Sequence, residues 1–158
     1  ETMLELNRRG INTSLMVCGC IPPPEFRHPK LTIIPFLNKN IPEERVRFNT
    51  LLLSADFLFL PTRKEAYGIV FCEACAFGLP SITTDTGGVT QIVRDNLNGF
   101  ALPESAGASD YATTIAEVWL DQEAYRRLVR SARNDYDTRL NWDTWGTKAT
   151  EVIKAVMR

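Results

Sequence analysis

The chain has 158 residues, with 18 Lys and Arg against 19 Asp and Glu, for a formal charge of −1. That length suits one domain with a single core, and the balanced charge argues against a nucleic-acid or anionic-membrane surface. No apolar run approaches the roughly 18–20 residues of a spanning helix. Charged Glu1 and Glu5 leave no signal-peptide pattern, and the lack of an initial Met predicts a fragment of a longer protein.

In chain order, Met3, Leu4 and Leu6 lie at loose helical spacing, and Gly10 predicts the end of a helix over residues 1–9. Residues 14–18 read as a short apolar strand that leads into a loop of three prolines, Pro22 to Pro24. His28, in that loop, reads as an exposed loop histidine rather than a ligand contact. Residues 31–34 are the next strand, with Pro35, Phe36 and Leu37 at its carboxyl end. A helix follows over residues 40–55, with Pro42 in its first turn and Glu43 and Glu44 suited to the positive end of its dipole. Arg45 and Arg47 read as solvated face, and Leu51, Leu52 and Leu53 as core.

The next unit is strand, loop, helix, strand. Residues 55–61 form an apolar run that ends at a proline, as a buried strand does. Residues 68–77 predict a helix stopped by Gly78, and residues 81–85 a second strand. Glu65 falls in the loop at the carboxyl end of the first strand, where open α/β sheets bind ligands. Tyr67, Gly68 and Ile69 offer backbone N–H groups at the helix start, and Gly68 lets a ligand approach closely. Glu73, about five residues in, lies about 7–8 Å along the axis. Carboxylates so placed hold hydroxyl-bearing groups on either side of a phosphate, the outline of a sugar nucleotide.

Further on, residues 88–93 predict a short helix and residues 99–102 a last strand. Two helices follow over residues 107–120 and 121–139, with Ile115, Val118, Trp119, Leu128 and Val129 as core. Asn141, Trp142 and Asp143 then cap a terminal helix over residues 144–157. Trp142 and Trp145 are read two ways, as ordinary helix core or as contacts to a partner domain. The four cysteines superficially suggest a thiolate metal site, Cys18 with Cys20 and Cys72 with Cys75. Cys72 and Cys75 fall inside an apolar helix and Cys18 on a strand expected to be buried. Small buried thiols in a reducing, cytoplasmic setting are the better reading. No metal is expected.

Several of these features resemble, in order and spacing, one known family. Glu65 and Glu73 have seven residues between them, Tyr67 and Gly68 included, with Ala74, Gly78, Leu79 and Pro80 after them. Thr84 to Val89 carries the paired Gly87 and Gly88, and Asp95 to Phe100 a later turn with Gly99. Pro61 and Thr62 precede the set. This pattern, over about half of the chain, resembles the E-x7-E signature of the donor-binding, carboxyl-terminal domain of retaining GT-B glycosyltransferases, the group 1 or family 4 enzymes.

The resemblance implies an α/β, Rossmann-like, mostly parallel sheet flanked by helices, here as one domain over residues 1–158 of a larger two-domain enzyme. It implies that Glu73 binds the ribose hydroxyls, and that Glu65 binds donor-sugar hydroxyls near the anomeric centre as the catalytic group. Backbone groups of Tyr67, Gly68, Ile69 and Val70 would contact sugar and phosphates. Phe36 and Leu37 would border the base, and Thr62 would be a further phosphate contact. The implied reaction transfers a sugar from a nucleoside diphosphate sugar to an acceptor with retention, with no cofactor or metal. The fragment alone would be inactive, since the N-terminal acceptor domain is absent. Any peripheral membrane association would run through that absent half.

Two departures qualify the resemblance. The family's domain begins with a further strand and a loop bearing Arg and Lys that neutralise the diphosphate. This chain begins inside the following helix, so that strand and both cations are missing. The strand would be central, between those at residues 14–18 and 57–60, and its absence predicts a gap with unpaired backbone. Gln91 stands where the family often has Glu, and no role is carried onto it. The alternatives are a non-catalytic nucleotide-sugar or interaction domain of the same fold, a nucleotide-sugar epimerase, or a phosphorylase. The catalytic pair of the epimerases and the cofactor-binding lysine of the phosphorylases find no counterpart here. No G-x-G-x-x-G supports a dinucleotide oxidoreductase.

Overall fold

A computed structural model of the chain describes residues 1–157. Helices α1 (Thr2–Arg8), α2 (Pro42–Ser54) and α3 (Ile69–Ala76) alternate with strands β1 (Leu15–Cys18), β2 (Leu31–Ile34), β3 (Leu58–Leu60), β4 (Ser81–Thr84) and β5 (Gly99–Leu102). Helices α4 (Ala108–Leu120), α5 (Gln122–Asp135) and α6 (Trp142–Val156) close the chain. Every strand pair is parallel. The architecture is the expected α/β, Rossmann-like one, with parallel sheets flanked by helices.

The strands do not form one sheet. β1 pairs with β2, from Leu15 opposite Leu31 to Cys18 opposite Ile34. A separate sheet runs in the order β3-β4-β5. β1 and β3 therefore each have one free edge, and an open cleft of about 1390 Å³ lies against both, lined by Leu6, Met16, Val17, Leu52, Phe59 and Ile115 among others. The gap expected between those strands is thus visible in the topology. Its effect shows in burial. β4, with a strand on each side, buries all four of its residues, whereas edge strand β1 leaves Met16 38% exposed. Cys18 is exposed too, which corrects its expected burial.

Three apolar clusters hold the layers together. Leu6, Ile82, Tyr111, Ala112 and Ile115 join α1, β4 and α4. Phe71, Val89, Ile92 and Val93 join α3 to a 3₁₀ turn, Val89–Gln91, where the sequence predicts a short helix. Leu52, Ala74 and Leu79 form the third cluster. Of the three leucines expected in the core of α2, only Leu52 is fully buried, and Leu53 faces solvent. Ile115 and Leu128 are buried as expected, while Val118, Trp119 and Val129 are only half-buried.

The helix expected over residues 121–139 ends at Asp135. Asp121 caps it, its Oδ1 accepting from the N–H groups of Glu123 and Ala124 at 3.1 and 2.9 Å. Beyond Asp135 the chain widens into a π turn, Tyr136–Leu140, which carries Arg139. Helix α6 starts two residues earlier than predicted because Asn141 is its cap, Oδ1 accepting from the Thr144 N–H at 2.8 Å. No residue of α6 is buried. Trp142 and Trp145 are 69% and 59% exposed and pack edge to face, with ring centroids 5.8 Å apart. The helix-core reading of these two residues is therefore wrong.

Candidate functional site

The carboxyl end of β3 runs into a loop whose shape is fixed by hydrogen bonds. Thr62 N–H donates to Leu60 O at 2.8 Å, and the Thr62 hydroxyl donates to Lys64 O at 3.1 Å. From the neighbouring loop, the Thr86 hydroxyl donates to Arg63 O at 3.3 Å. Glu65 is half-buried; its Oε1 accepts from Tyr67 N–H at 3.4 Å and its carbonyl from Gly88 N–H at 3.3 Å. The paired glycines are the floor of this loop. A Cβ on Gly87 would lie 2.0 Å from Glu65 O, and one on Gly88 2.2 Å from Ala66 O. Any side chain there would push the Glu65 loop away.

Gly68 ends the loop with φ +80°, the left-handed region that favours glycine. Sequence reasoning gives this position to a ligand's close approach. The structure adds a packing reason, since a Cβ there would meet the Phe71 ring at 2.5 Å and Glu65 Cγ at 3.3 Å. No side chain caps the first turn of α3, and Ile69 is exposed, so that turn faces outward. Val70 is half-buried. Partial burial raises the Tyr67 phenol and the Cys72 thiol above their ordinary ranges.

Glu73 is the fifth residue of α3, about 6 Å along the axis from Ile69. Its Oε1 accepts from Lys39 Nζ in an ion pair. Lys39 lies just beyond β2 on the segment that carries Phe36 and Leu37. Its ammonium also sits 5.1 Å from the centroid of the Phe48 ring. Leu37 is buried and Phe36 is 75% exposed. The structure thus brings the end of β2 to α3 through Lys39 and Glu73, and sets Glu65, Tyr67 and Gly68 at the mouth of the same helix. The Thr62 hydroxyl is engaged within its own loop.

Three features escape sequence reasoning. Lys39 carries no local signal, because its partner is 34 residues away. Arg63 and Lys64, exposed cations on the Glu65 loop, form no ion pair among the described residues. Their position beside Glu65 is readable in the sequence. The third is a buried polar network behind the site. Asn98 donates to Ile92 O and to Asp135 Oδ2, both at 2.8 Å, and accepts from Arg94 N–H at 2.8 Å. Arg139 grips Asp135 through two bonds of 2.8 and 2.6 Å and also donates to the carbonyls of Gln91 and Ile92. Its hydrogen bond to Asp135 raises the guanidinium above its ordinary value despite desolvation. The network ties the segment after the paired glycines to the end of α5, and Gln91 enters it only through its backbone.

Residues 36–135 match the family model described as glycosyl transferases group 1. Over 108 residues, 68% of this chain and 26% of the relative, the chain is 32% identical to glycogen synthase of Mycobacterium tuberculosis. It superposes on sucrose-phosphate synthase from Thermosynechococcus elongatus with a TM-score of 0.76 and 18% identity, covering 99% of this chain and 41% of that one. It also superposes on Anabaena HepE in complex with UDP-glucose, with a TM-score of 0.62 and 16% identity over 98% of this chain and 52% of that one. The chain spans about a quarter of the length of the curated relatives it matches. The family model takes in the segment just beyond β2, the Glu65 loop, all of α3 and the paired glycines, and the chain belongs to the glycosyl transferases group 1 family.

Proposed function

We propose that the chain is the donor-binding, carboxyl-terminal half of a two-domain retaining GT-B glycosyltransferase. It would bind a nucleoside diphosphate sugar, whose sugar is transferred to an acceptor held by the remainder of a longer protein. The observation that carries this reading is the seating of the Glu65 loop on Gly87 and Gly88, at the mouth of a helix whose Glu73 meets the end of β2. HepE, a protein of similar fold, is known in complex with UDP-glucose.

In this reading Glu73 accepts hydrogen bonds from the ribose hydroxyls, and the backbone at Phe36 and Leu37 borders the base. The amides of Tyr67, Gly68, Ile69 and Val70 face sugar and phosphates at the uncapped end of α3. Arg63 and Lys64 add positive charge beside the diphosphate, a role not given to them by sequence reasoning, and Thr62 steadies their loop. Glu65 lies toward the anomeric carbon, where an oxocarbenium-like centre develops as the diphosphate departs. The position of Glu73 in the second turn of α3, beyond the loop that carries Glu65, keeps the two from acting as an acid–nucleophile pair on one bond.

The free edges of β1 and β3 would take a strand from the rest of the longer protein, and the exposed Trp142 and Trp145 would pack against its other half. No helix among the described residues is long and apolar enough to cross a membrane. All four cysteines are free, which suits a reducing, cytoplasmic setting. Alone, the chain would bind donor without turning it over.

Ligand-observed NMR with UDP-glucose, ADP-glucose and GDP-mannose tests the assignment. One nucleotide series should give saturation transfer to its ribose protons, and Glu73→Gln should weaken it by about tenfold, the usual scale for a charged hydrogen bond. Binding that Glu73→Gln leaves untouched would remove the donor-site reading.

A further inference from the structure

The one long-range ion pair of the described residues ends on Glu73. Among those residues, six other ion pairs join side chains three to seven positions apart, within about two helical turns. Lys39 and Glu73 are 34 positions apart, one in the loop between β2 and α2 and the other on α3. A solvated helix acid finds partners of the local kind. Glu73 instead takes its cation from the loop beyond β2.

That loop is built to hold the cation still. Ile41 N–H donates to Asn38 O at 2.9 Å, and Asn40 N–H donates to Asn38 Oδ1 at 3.0 Å, which closes a tight turn around Lys39. Asn38 N–H donates to Glu44 Oε2 at 2.5 Å, which braces the turn against the first turn of α2. The Phe48 ring lies under the ammonium. Glu73 itself keeps only 28% of its side chain exposed, against 47% for Lys39. The pair uses Oε1 of Glu73, and Oε2 has no hydrogen bond among the described residues.

We propose that Lys39 is a positioning residue for the donor site: it locks the Glu73 carboxylate in one orientation through Oε1 and leaves Oε2 free to accept from a vicinal diol. The inference rests on the donor-site reading and deepens it, by making the pair rather than the lone glutamate the ribose-recognising unit. A carboxylate fixed before the ligand arrives loses no rotamer freedom on binding, so the diol gains more from it. Lys39 touches Glu73 and acts through it.

The test compares UDP with 2′,3′-dideoxy-UDP on the wild type, Lys39→Met, Lys39→Arg and Glu73→Gln, with 13C NMR of the Glu73 carboxyl in the nucleotide-free chain. Lys39→Met should weaken UDP binding about three- to tenfold, the scale of one immobilised side chain. It should barely change binding of the dideoxy analogue, and Lys39→Arg should restore most of the loss. The carboxyl resonance of Glu73 should move in Lys39→Met before any nucleotide is added. Equal weakening toward both nucleotides would mean that Lys39 acts as bulk charge, and tighter UDP binding would mean that it blocks the site. Either result overturns the proposal. An unmoved carboxyl resonance overturns it too and leaves the donor-site reading standing. Wild-type indifference to the ribose hydroxyls, with Glu73→Gln silent, would instead remove the donor-site reading even if the resonance moves.

Discussion

Gly87 and Glu65 pack backbone to backbone: a Cβ on Gly87 would lie 2.0 Å from the Glu65 carbonyl oxygen. Gly87 also has φ +56°, outside the range that L side chains prefer. The catalytic-loop candidate and the paired-glycine turn are therefore one structural unit, although Glu65 and Gly87 are 22 positions apart.

Gly87→Ala should destabilise the fold by about 2–4 kcal/mol, combining a left-handed alanine with overpacking against backbone that has nowhere to go. Urea unfolding monitored by tryptophan fluorescence measures it. A midpoint within error of the wild type would show that the two loops separate easily and that the contact is not a constraint.

Arg63→Gln with Lys64→Gln should weaken UDP binding by roughly tenfold or more, the range of charge-assisted hydrogen bonds. Uridine, which lacks the diphosphate, should bind the double variant as it binds the wild type. An equal loss for both ligands would mean that the cations support the loop rather than the phosphates.

Asp135→Ala should be the most damaging of the substitutions considered, at about 3–5 kcal/mol, because it leaves Arg139 largely buried without its carboxylate and Asn98 without one of its two acceptors. Thermal unfolding reports it. Asp135→Asn, which keeps the shape, should recover only the part of that loss owed to Asn98.

Burial pushes the Cys75 thiol up to about 12 from an ordinary value near 9. The sign follows from linkage: above pH 9 the unfolded chain gives up this proton while the folded chain keeps it. The contribution of Cys75 to stability is therefore intact below about 9 and falls as pH rises toward about 12. Alkylation at pH 8.5 should label the exposed Cys18 and Cys20 within the time that Cys75 stays unmodified. Labelling of Cys75 at their rate would contradict its burial.

How much of this was legible in the sequence depends on the range of the interaction. The Glu65 loop, α3 and β4 could be placed because an apolar run, a proline, a glycine stop and two carboxylates act within a few positions of one another. Asn141 signalled the start of α6 in the same local way, although the helix begins right behind it. Cys18 was misplaced because its strand is apolar enough for a sheet centre yet lies at an edge, and pairing is not a local property. Trp142 and Trp145 fit helix core and a partner-domain contact equally by composition, and only the fold shows them facing outward. Lys39 and Asp135 were missed for a related reason. A lysine after a strand and an aspartate late in a helix look ordinary until distant segments are brought together.

The central claim is that a nucleotide occupies the mouth of α3. Backbone shift mapping of the 15N-labelled chain during a UDP titration tests it most directly, since it registers millimolar as well as tight binding. The account predicts that the largest shifts fall at Tyr67, Gly68, Ile69 and Val70, with a second group at Phe36, Leu37 and Glu73, and that Glu73→Gln shrinks both. Shifts confined to the cleft between β1 and β3, or none at saturating UDP, ADP and GDP alike, would contradict it.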